Sequence, residues 1–137
     1  MRQFDMRHPD ETEDPLTKEI IGRAIKIQRV LGPRLLESAY ECFLAHELGK
    51  AGLTVLRQAP IPVVYDGIKL DIGFRADLIV NAEVIVEIKA MKQLEPVHDA
   101  QVLSYLRFAE IERGLLINFH AYPLRDGIKR FSLTRNA

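Results

Sequence analysis

Two acidic residues and a lysine stand inside otherwise apolar stretches of the chain. Asp77 lies in the stretch 74–80, and Glu87 and Lys89 lie in the stretch 84–89. Both stretches are short and rich in aliphatic and β-branched residues, which predicts two buried β-strands. A carboxylate inside a buried strand is energetically costly unless it is paired or bound to a cation. The presence of these two acids therefore needs a structural or functional explanation.

Strand geometry predicts that these side chains converge. Residues two apart lie on one face of a strand, so Glu87 and Lys89 share a face, and a hairpin through residues 81–83 would bring Asp77 beside them. Two carboxylates, with the backbone carbonyl of Ile88 as a third oxygen, suit a hydrated divalent cation such as Mg²⁺. The Lys89 ammonium is suited to bind an attacking water or a phosphate oxygen. Its positive charge would there stabilise a pentavalent transition state. The cluster therefore indicates metal-dependent hydrolysis of a phosphodiester.

A simpler interpretation also accounts for these residues. The short pattern Glu87-Ile88-Lys89 is common by chance, and a buried ion pair between Lys89 and one acid would satisfy its charge. The upstream Asp77 and the buried strand context favour a functional site over chance. The local pattern alone leaves both interpretations open.

Two predicted helices carry further polar side chains whose function the pattern leaves open. Glu37 shares a helix face with Tyr40, and Gln101 shares a face of a later helix with Tyr105. Glu37 could bind a metal-bound water or a second cation, or it could be an exposed acid favoured near a helix N-terminus. Gln101 and Tyr105 could hydrogen-bond a phosphate or orient the lysine, or they could form a polar stripe at a helix edge.

The remaining sequence predicts a single α/β or α+β domain with a mixed central sheet flanked by helices. Residues 1–15 are polar and are predicted to form a flexible N-terminal arm, which precedes one domain over residues 16–137. Apolar periodicity predicts helices over residues 17–30, 35–50 and 96–110. It predicts strands over residues 53–58, 61–65, 69–80, 84–90, 114–119 and 129–133, the last at an edge of the sheet.

Composition restricts the class of protein. The chain has 137 residues, 47% of them apolar and 28% charged, which is ordinary for one globular domain. Lys and Arg together number 19, as do Asp and Glu, so the net charge does not indicate bulk adhesion to nucleic acid. The single cysteine, Cys42, fits a reducing compartment. Because no apolar stretch approaches the ~20 residues of a membrane span, we expect a cytoplasmic protein without a membrane segment.

Several motifs, spread over about residues 17–133, resemble a known family in type and order. They are Leu31-Gly32-Pro33-Arg34-Leu35-Leu36-Glu37-Ser38-Ala39-Tyr40-Glu41, His46-Glu47-Leu48, Tyr65-Asp66-Gly67, Arg75-Ala76-Asp77, Val86-Glu87-Ile88-Lys89, Gln101-Val102-Leu103-Ser104-Tyr105-Leu106 and Gly114-Leu115-Leu116-Ile117-Asn118-Phe119. In these motifs the chain resembles the GxxExxY proteins, a PD-(D/E)XK nuclease-like group. One position departs from the family pattern, because the glycine of the family name corresponds to Arg34 here, while Glu37 and Tyr40 are retained.

The resemblance implies a restriction-endonuclease-like αβββαβ core and a metal-dependent nuclease site. The side chains to which it gives catalytic roles are Asp77, Glu87, Lys89, Glu37, Gln101 and Tyr105. It implies Mg²⁺ or Mn²⁺ as cofactor, held by Asp77, Glu87, the Ile88 carbonyl and, through water, Glu37. The implied substrate is nucleic acid, and we expect DNA rather than RNA.

Three interpretations follow from these observations, and the first two are functions of different kinds. The first is a nuclease that hydrolyses phosphodiester bonds. The alternative is a catalytically silent protein of the same fold that binds nucleic acid or protein as an accessory factor, and a purely structural role for the charged cluster is a third. The sequence leaves open whether the chain forms a homodimer.

Overall fold

In the described part of the chain, the fold is a mixed six-stranded sheet covered by three α-helices. The computed structural model describes residues 14–135 and the backbone of residues 2–7, with side chains described from residue 14 to residue 133. The helices are α1 (Pro15–Leu31), α2 (Glu37–Lys50) and α3 (Pro96–Ala109). The strands are β1 (Arg2–Arg7), β2 (Val55–Tyr65), β3 (Ile68–Val80), β4 (Val84–Lys89), β5 (Arg113–Asn118) and β6 (Ile128–Arg135).

The strand order of the sheet is β1-β6-β5-β4-β3-β2. The pair β4 and β5 is parallel and is connected through α3, whereas the other neighbouring pairs are antiparallel. The segment from α2 to β5 therefore follows the order αβββαβ. The predicted mixed α+β architecture is confirmed.

Helices cover the central sheet on both faces. On one face, buried residues of β3, β4 and β5 pack against the apolar stripes of α1 and α2, which consist of Ile20, Ala24, Ile27, Tyr40, Leu44 and Leu48. On the other face, α3 contributes Val102, Tyr105 and Leu106. Because residues Val84 to Ile88 of β4 are all buried, a polar side chain on this strand is surrounded by protein.

A tight turn joins β3 to β4, as the sequence predicts. Asn81 and Ala82 have φ angles of 53° and 55°, and both strands continue in antiparallel register from Val80 paired with Val84. Positive φ at both central residues is characteristic of the type I′ turn, whose twist matches that of the strands. The Asn81 side chain accepts a hydrogen bond from the Thr54 N–H at 2.8 Å. This turn brings the two acid-bearing strands side by side.

The beginning of the chain differs from the sequence prediction. Residues 1–15 were expected to form a flexible arm, but Arg2–Arg7 form β1, antiparallel to β6, and Pro15 begins α1. Residues 8–13 lie outside the described residues. A local pattern cannot reveal this pairing, because the partner strand lies at the other end of the sequence. The single domain over residues 16–137 stays a prediction.

Pairing with β1 also corrects the predicted place of the last strand. The strand over residues 129–133 was expected at an edge of the sheet, but β6 lies between β5 and β1. Its observed bounds are also wider, from Ile128 to Arg135. The prediction failed for the same reason, since it did not include a strand at the N-terminus.

The strand β2 is continuous where the sequence predicts two strands. Pro60 and Pro62 suggest a break, yet the strand runs from Val55 to Tyr65, with a shift of register between Ile61 and Val63. Proline lacks a donor for the ladder and is tolerated mainly on edge strands. Among the described strands β2 is at an edge of the sheet, so these prolines do not interrupt it.

Candidate active site

The strands β3 and β4 separate where the two acids stand. Their pairing runs from Val80 and Val84 to Leu78 and Val86 and goes no further. The next two residues are Asp77 and Glu87, whose carboxylates occupy the places of the missing backbone partners. Glu87 Oε1 accepts a hydrogen bond from the Asp77 N–H at 2.9 Å, and Asp77 Oδ2 accepts one from the Ile88 N–H at 2.8 Å. We call this opening the strand fork, defined by Asp77, Glu87 and Ile88.

Burial and neighbouring acidic charges make the two carboxyl groups hard to ionise. Glu87 is 3% exposed, and burial, followed by the charge of Asp77, raises its pKa to about 8. Burial also raises the pKa of Asp77 to about 6, with contributions from the charges of Glu41 and Glu37, although its hydrogen bonds act in the opposite direction. A cation at the strand fork would offset this cost by stabilising the ionised forms.

Ile88 and Lys89 flank the acids on β4. The N–H and C=O groups of one strand residue point to the same side, so the Ile88 carbonyl is directed toward the strand fork together with its N–H. Lys89 Nζ lies 3.9 Å from Glu87 Oε2, and its side chain is 18% exposed. This separation exceeds hydrogen-bonding distance. The ion pair that the sequence left open is therefore present but loose, and the ammonium keeps donors for another group.

The helix α3 brings Gln101 and Tyr105 to the same region. Gln101 Nε2 donates a hydrogen bond to the Tyr105 hydroxyl oxygen at 2.8 Å, and Tyr105 is 4% exposed. Burial raises the pKa of Tyr105 to about 12, and the charges of Glu87 and Asp77 add to the effect. The phenol therefore lies close enough to the acid pair to be influenced by it and stays protonated at neutral pH.

Glu37 stands at the first position of α2 and is exposed to solvent. Its charge contributes to the raised pKa of both Asp77 and Glu87. The side chain thus lies near the acid pair without being buried in it. This position suits a contact through water better than direct binding of the same cation.

Two residues that the sequence analysis did not single out also belong to this site. Glu41 is 7% exposed and follows Glu37 by one helical turn. Gln58, on β2, donates from Nε2 to Glu41 Oε1 and, at 3.1 Å, to Asp77 Oδ1. The i,i+4 spacing of the two glutamates could have indicated Glu41. No local pattern marks Gln58, because its contacts depend on the pairing of β2 with β3.

Tyr40 has a structural place rather than a place beside the acids. It is fully buried, its ring stacks on Phe119 at a centroid distance of 4.3 Å, and its hydroxyl donates to the Gly32 carbonyl. The Leu35 N–H donates to the same hydroxyl at 3.1 Å. Tyr40 therefore fixes the connection between α1 and α2, and so the start of the helix that carries Glu37 and Glu41.

The donors at the strand fork fit a hard divalent cation. One buried and one half-buried carboxylate, both with raised pKa values, and one backbone carbonyl are oxygen ligands of the kind Mg²⁺ takes together with several waters. Within the described part of the chain, no group of three or more His, Cys, Asp or Glu side chains forms a ready metal-binding cluster. The fit therefore rests on the two acids and the Ile88 carbonyl, with water completing the shell.

Comparison with known proteins identifies the family to which this fold and site belong. The family model of the PD-(D/E)XK nuclease superfamily matches residues 14–131, and the chain belongs to this superfamily. No curated protein and no solved structure matches the chain significantly. Of the helices in residues 14–135, none combines the length and hydropathy that a bilayer crossing requires.

Proposed function

We propose that the protein is a metal-dependent nuclease that hydrolyses phosphodiester bonds, with DNA as its substrate. The observation that carries the proposal is the strand fork, where the buried Glu87 and the half-buried Asp77, both with raised pKa values, lie beside Lys89. Membership of the PD-(D/E)XK nuclease superfamily supports the same reaction. A buried acid pair that served packing alone would lower the stability of the fold without a compensating benefit.

Asp77, Glu87 and the Ile88 carbonyl would hold Mg²⁺ or Mn²⁺, and Glu37 would contact it through water. When bound, the cation supplies Lewis-acid polarisation and neutralises charge on the phosphate. The cation would also favour the ionised forms of Asp77 and Glu87, because its charge offsets the effect of burial, which raises their pKa values.

Three side chains would act on the substrate and the attacking water. The Lys89 ammonium, close to Glu87 Oε2, would orient the water and stabilise negative charge that develops on the phosphate. Tyr105, kept protonated by its raised pKa, would donate a hydrogen bond to a phosphate oxygen. Gln101, hydrogen-bonded to that phenol, would fix its direction.

A second candidate is a protein of this fold that binds nucleic acid or protein without cleavage. The observation that favours it is the charge balance, because 19 basic and 19 acidic residues give no overall attraction to a polyanion. It predicts metal binding without turnover. The predicted location is cytoplasmic for either function, because a single cysteine suits a reducing compartment.

A homodimer is the assembly that we propose for cleavage of a duplex. The described residues of one chain hold one such acid pair, so cutting both strands at once would require two copies. Sedimentation of the chain with and without duplex DNA would measure this. A monomer that cuts both strands in independent events would contradict it.

A cleavage assay separates the two functions. The purified chain would be incubated with single-stranded DNA, duplex DNA and RNA, each with Mg²⁺, with Mn²⁺ and with a chelator. The nuclease proposal predicts metal-dependent cleavage of DNA that is lost in Asp77→Ala. Binding of Mn²⁺ by the wild type, measured by calorimetry, with no cleavage of any substrate would favour the accessory function instead.

A further inference from the structure

Gln58 connects the acid pair to α2 through a single amide group. Its Nε2 donates to Asp77 Oδ1 at 3.1 Å and also to Glu41 Oε1. An amide NH₂ has two hydrogens, so both contacts can exist at once. Since Asp77 is on β3 and Glu41 is on α2, this amide joins two elements that position the site.

The backbone of Gln58 is strained at the position opposite Asp77. Arg57 pairs with Leu78 and Ala59 pairs with Ala76, so the register is unchanged across Gln58, yet its φ angle is 50°. The left-handed region is unfavourable for a residue other than glycine, because its Cβ comes too close to the following carbonyl oxygen. Strain of this kind persists where the surrounding structure over-determines it, and it concentrates at functional sites. The unusual backbone thus accompanies the unusual side-chain contacts.

Neighbouring groups hold Gln58 and Glu41 in place. Arg75 Nη1 donates to the Gln58 carbonyl at 3.1 Å. Arg57 donates from Nε and Nη2 to Glu41 Oε2 at 3.3 and 3.1 Å, which leaves Oε1 for the Gln58 amide. The Gln58 backbone is therefore held by Arg75, and its partner Glu41 is held by Arg57.

We propose that Gln58 is a positioning residue, which fixes the orientation of the Asp77 carboxylate for the cation. This role rests on the proposed nuclease function. The Ile88 N–H holds Asp77 Oδ2 at 2.8 Å, and the Gln58 amide holds Oδ1. With both oxygens held, rotation of the carboxylate is restrained, and each oxygen keeps a lone pair for a cation. Without Gln58 only one oxygen would be held.

The variant Gln58→Gly tests this role. Glycine accepts positive φ without strain, so the variant removes the amide while relieving the backbone. We expect the midpoint of thermal unfolding to stay the same or rise, and the dissociation constant for Mn²⁺, measured by calorimetry, to increase 10- to 100-fold, as is typical for partners of metal ligands. At saturating Mn²⁺, kcat should fall while the KM for DNA stays unchanged.

The matched control is Asp66→Gly. Asp66 also has a φ angle of 50°, but it lies in the turn between β2 and β3. This variant relieves the same kind of strain and should bind Mn²⁺ as the wild type does. Equal Mn²⁺ affinity in Gln58→Gly and the wild type would overturn the positioning role and leave the nuclease function standing.

A crystal structure of metal-free Gln58→Gly decides the role without any bound cation. The inference predicts that the Asp77 carboxylate turns so that Oδ1 leaves the position in which the Gln58 amide holds it in the wild type, while Oδ2 still accepts from the Ile88 N–H. An unchanged carboxylate would overturn the inference. A wild-type protein that neither binds Mn²⁺ nor cuts DNA would refute the nuclease function, and the rotation of Asp77 in this crystal structure would still decide whether Gln58 orients it.

Discussion

Buried carboxyl groups with raised pKa values make a fold less stable as the pH rises. In the folded protein the pKa of Glu87 is about 8 and that of Asp77 is about 6, against reference values of 4.5 and 3.8. At pH values between the reference pKa and the folded-state pKa of each acid, the folded state holds more protons than the unfolded state. The stabilising contribution is therefore complete at low pH and is lost as the pH rises through the folded pKa. These residues oppose folding at neutral pH unless a cation is bound.

A pH series on the metal-free protein tests this conclusion. In the presence of a chelator, we expect the free energy of unfolding to fall between pH 6 and pH 8, by at most ~1.4 kcal/mol per pH unit for each proton involved. Glu87→Gln imitates the protonated acid. In this variant the free energy of unfolding, measured by urea denaturation, should decrease less between pH 6 and pH 8 than it does in the wild type. Glu83→Gln, at a half-exposed ion pair with Arg113, is the control and should keep the wild-type slope. A slope in Glu87→Gln equal to that of the wild type would contradict the assignment.

Substitutions of Lys89 and of Asp77 should affect cleavage and metal binding differently. Lys89→Ala is expected to lower kcat by roughly 100- to 1,000-fold, the size of loss seen when a charge-stabilising donor is removed. Its Mn²⁺ affinity should change little, because Lys89 is not among the proposed ligands. Asp77→Asn should weaken Mn²⁺ binding and cleavage together. Calorimetry and single-turnover cleavage measure the two quantities separately, and unchanged turnover in Lys89→Ala would make the lysine structural.

Single residues could be predicted where a local rule applied to them. Asp77, Glu87 and Lys89 stand out because a charged residue inside an apolar strand is costly, and period-2 geometry gives their face. Gln58 could not be predicted, since its contacts require both the β2–β3 register and a positive φ that a glutamine seldom adopts. Sequence rules therefore locate the acids but not the group that holds one of them.

At the scale of elements, the start of α2 decides where Glu37 and Glu41 lie. This helix begins at Glu37 without a side-chain cap, and the buried Tyr40 hydroxyl holds the preceding loop through the Gly32 carbonyl and the Leu35 N–H. The stacking of Tyr40 on Phe119 connects the same helix to the residue that follows β5. The Tyr40 hydroxyl is thus one constraint on the entry to α2.

Tyr40→Phe tests the importance of that hydroxyl. The variant keeps the stacked ring and removes two hydrogen bonds, so we expect a loss of about 1–3 kcal/mol in the free energy of unfolding. Metal affinity should fall only slightly if the loop re-forms. Urea denaturation gives the first quantity and calorimetry with Mn²⁺ the second. Tyr65→Phe, at a residue that is 79% exposed, is the control and should leave stability within error.

The elements themselves were predictable where periodicity was long, and less so at the sheet edges. The three helices follow their apolar patterns closely because each buries one face against the sheet. The central strands read as apolar stretches because helices cover both faces of the sheet. The edge strand β2 was divided by its prolines, although an edge can accommodate them. The strand β1 was missed because its six residues gain their pairing only from β6.

At the scale of the whole molecule, cation binding and folding should be coupled. The unfolded chain cannot hold Asp77, Glu87 and the Ile88 carbonyl together, so a cation that binds at the strand fork stabilises the folded state. Each tenfold increase of free metal above its Kd should add about 1.4 kcal/mol. Thermal unfolding in a Mn²⁺ series should show a rising midpoint for the wild type. A flat series for the wild type would contradict binding at the strand fork, as would a rise of equal size in Asp77→Asn.

The strand fork has one more consequence, for the backbone itself. The N–H groups of Asp77 and Ile88 donate to carboxylates, not to carbonyls of a neighbouring strand. Their hydrogens are therefore protected from exchange with solvent by side chains that can rotate or change protonation, whereas the ladder beginning at Leu78 is protected by the sheet. Two amide signals in an NMR spectrum thus record the state of the acid pair with no substrate present. The molecule carries its own reporter at the position where its chemistry would occur.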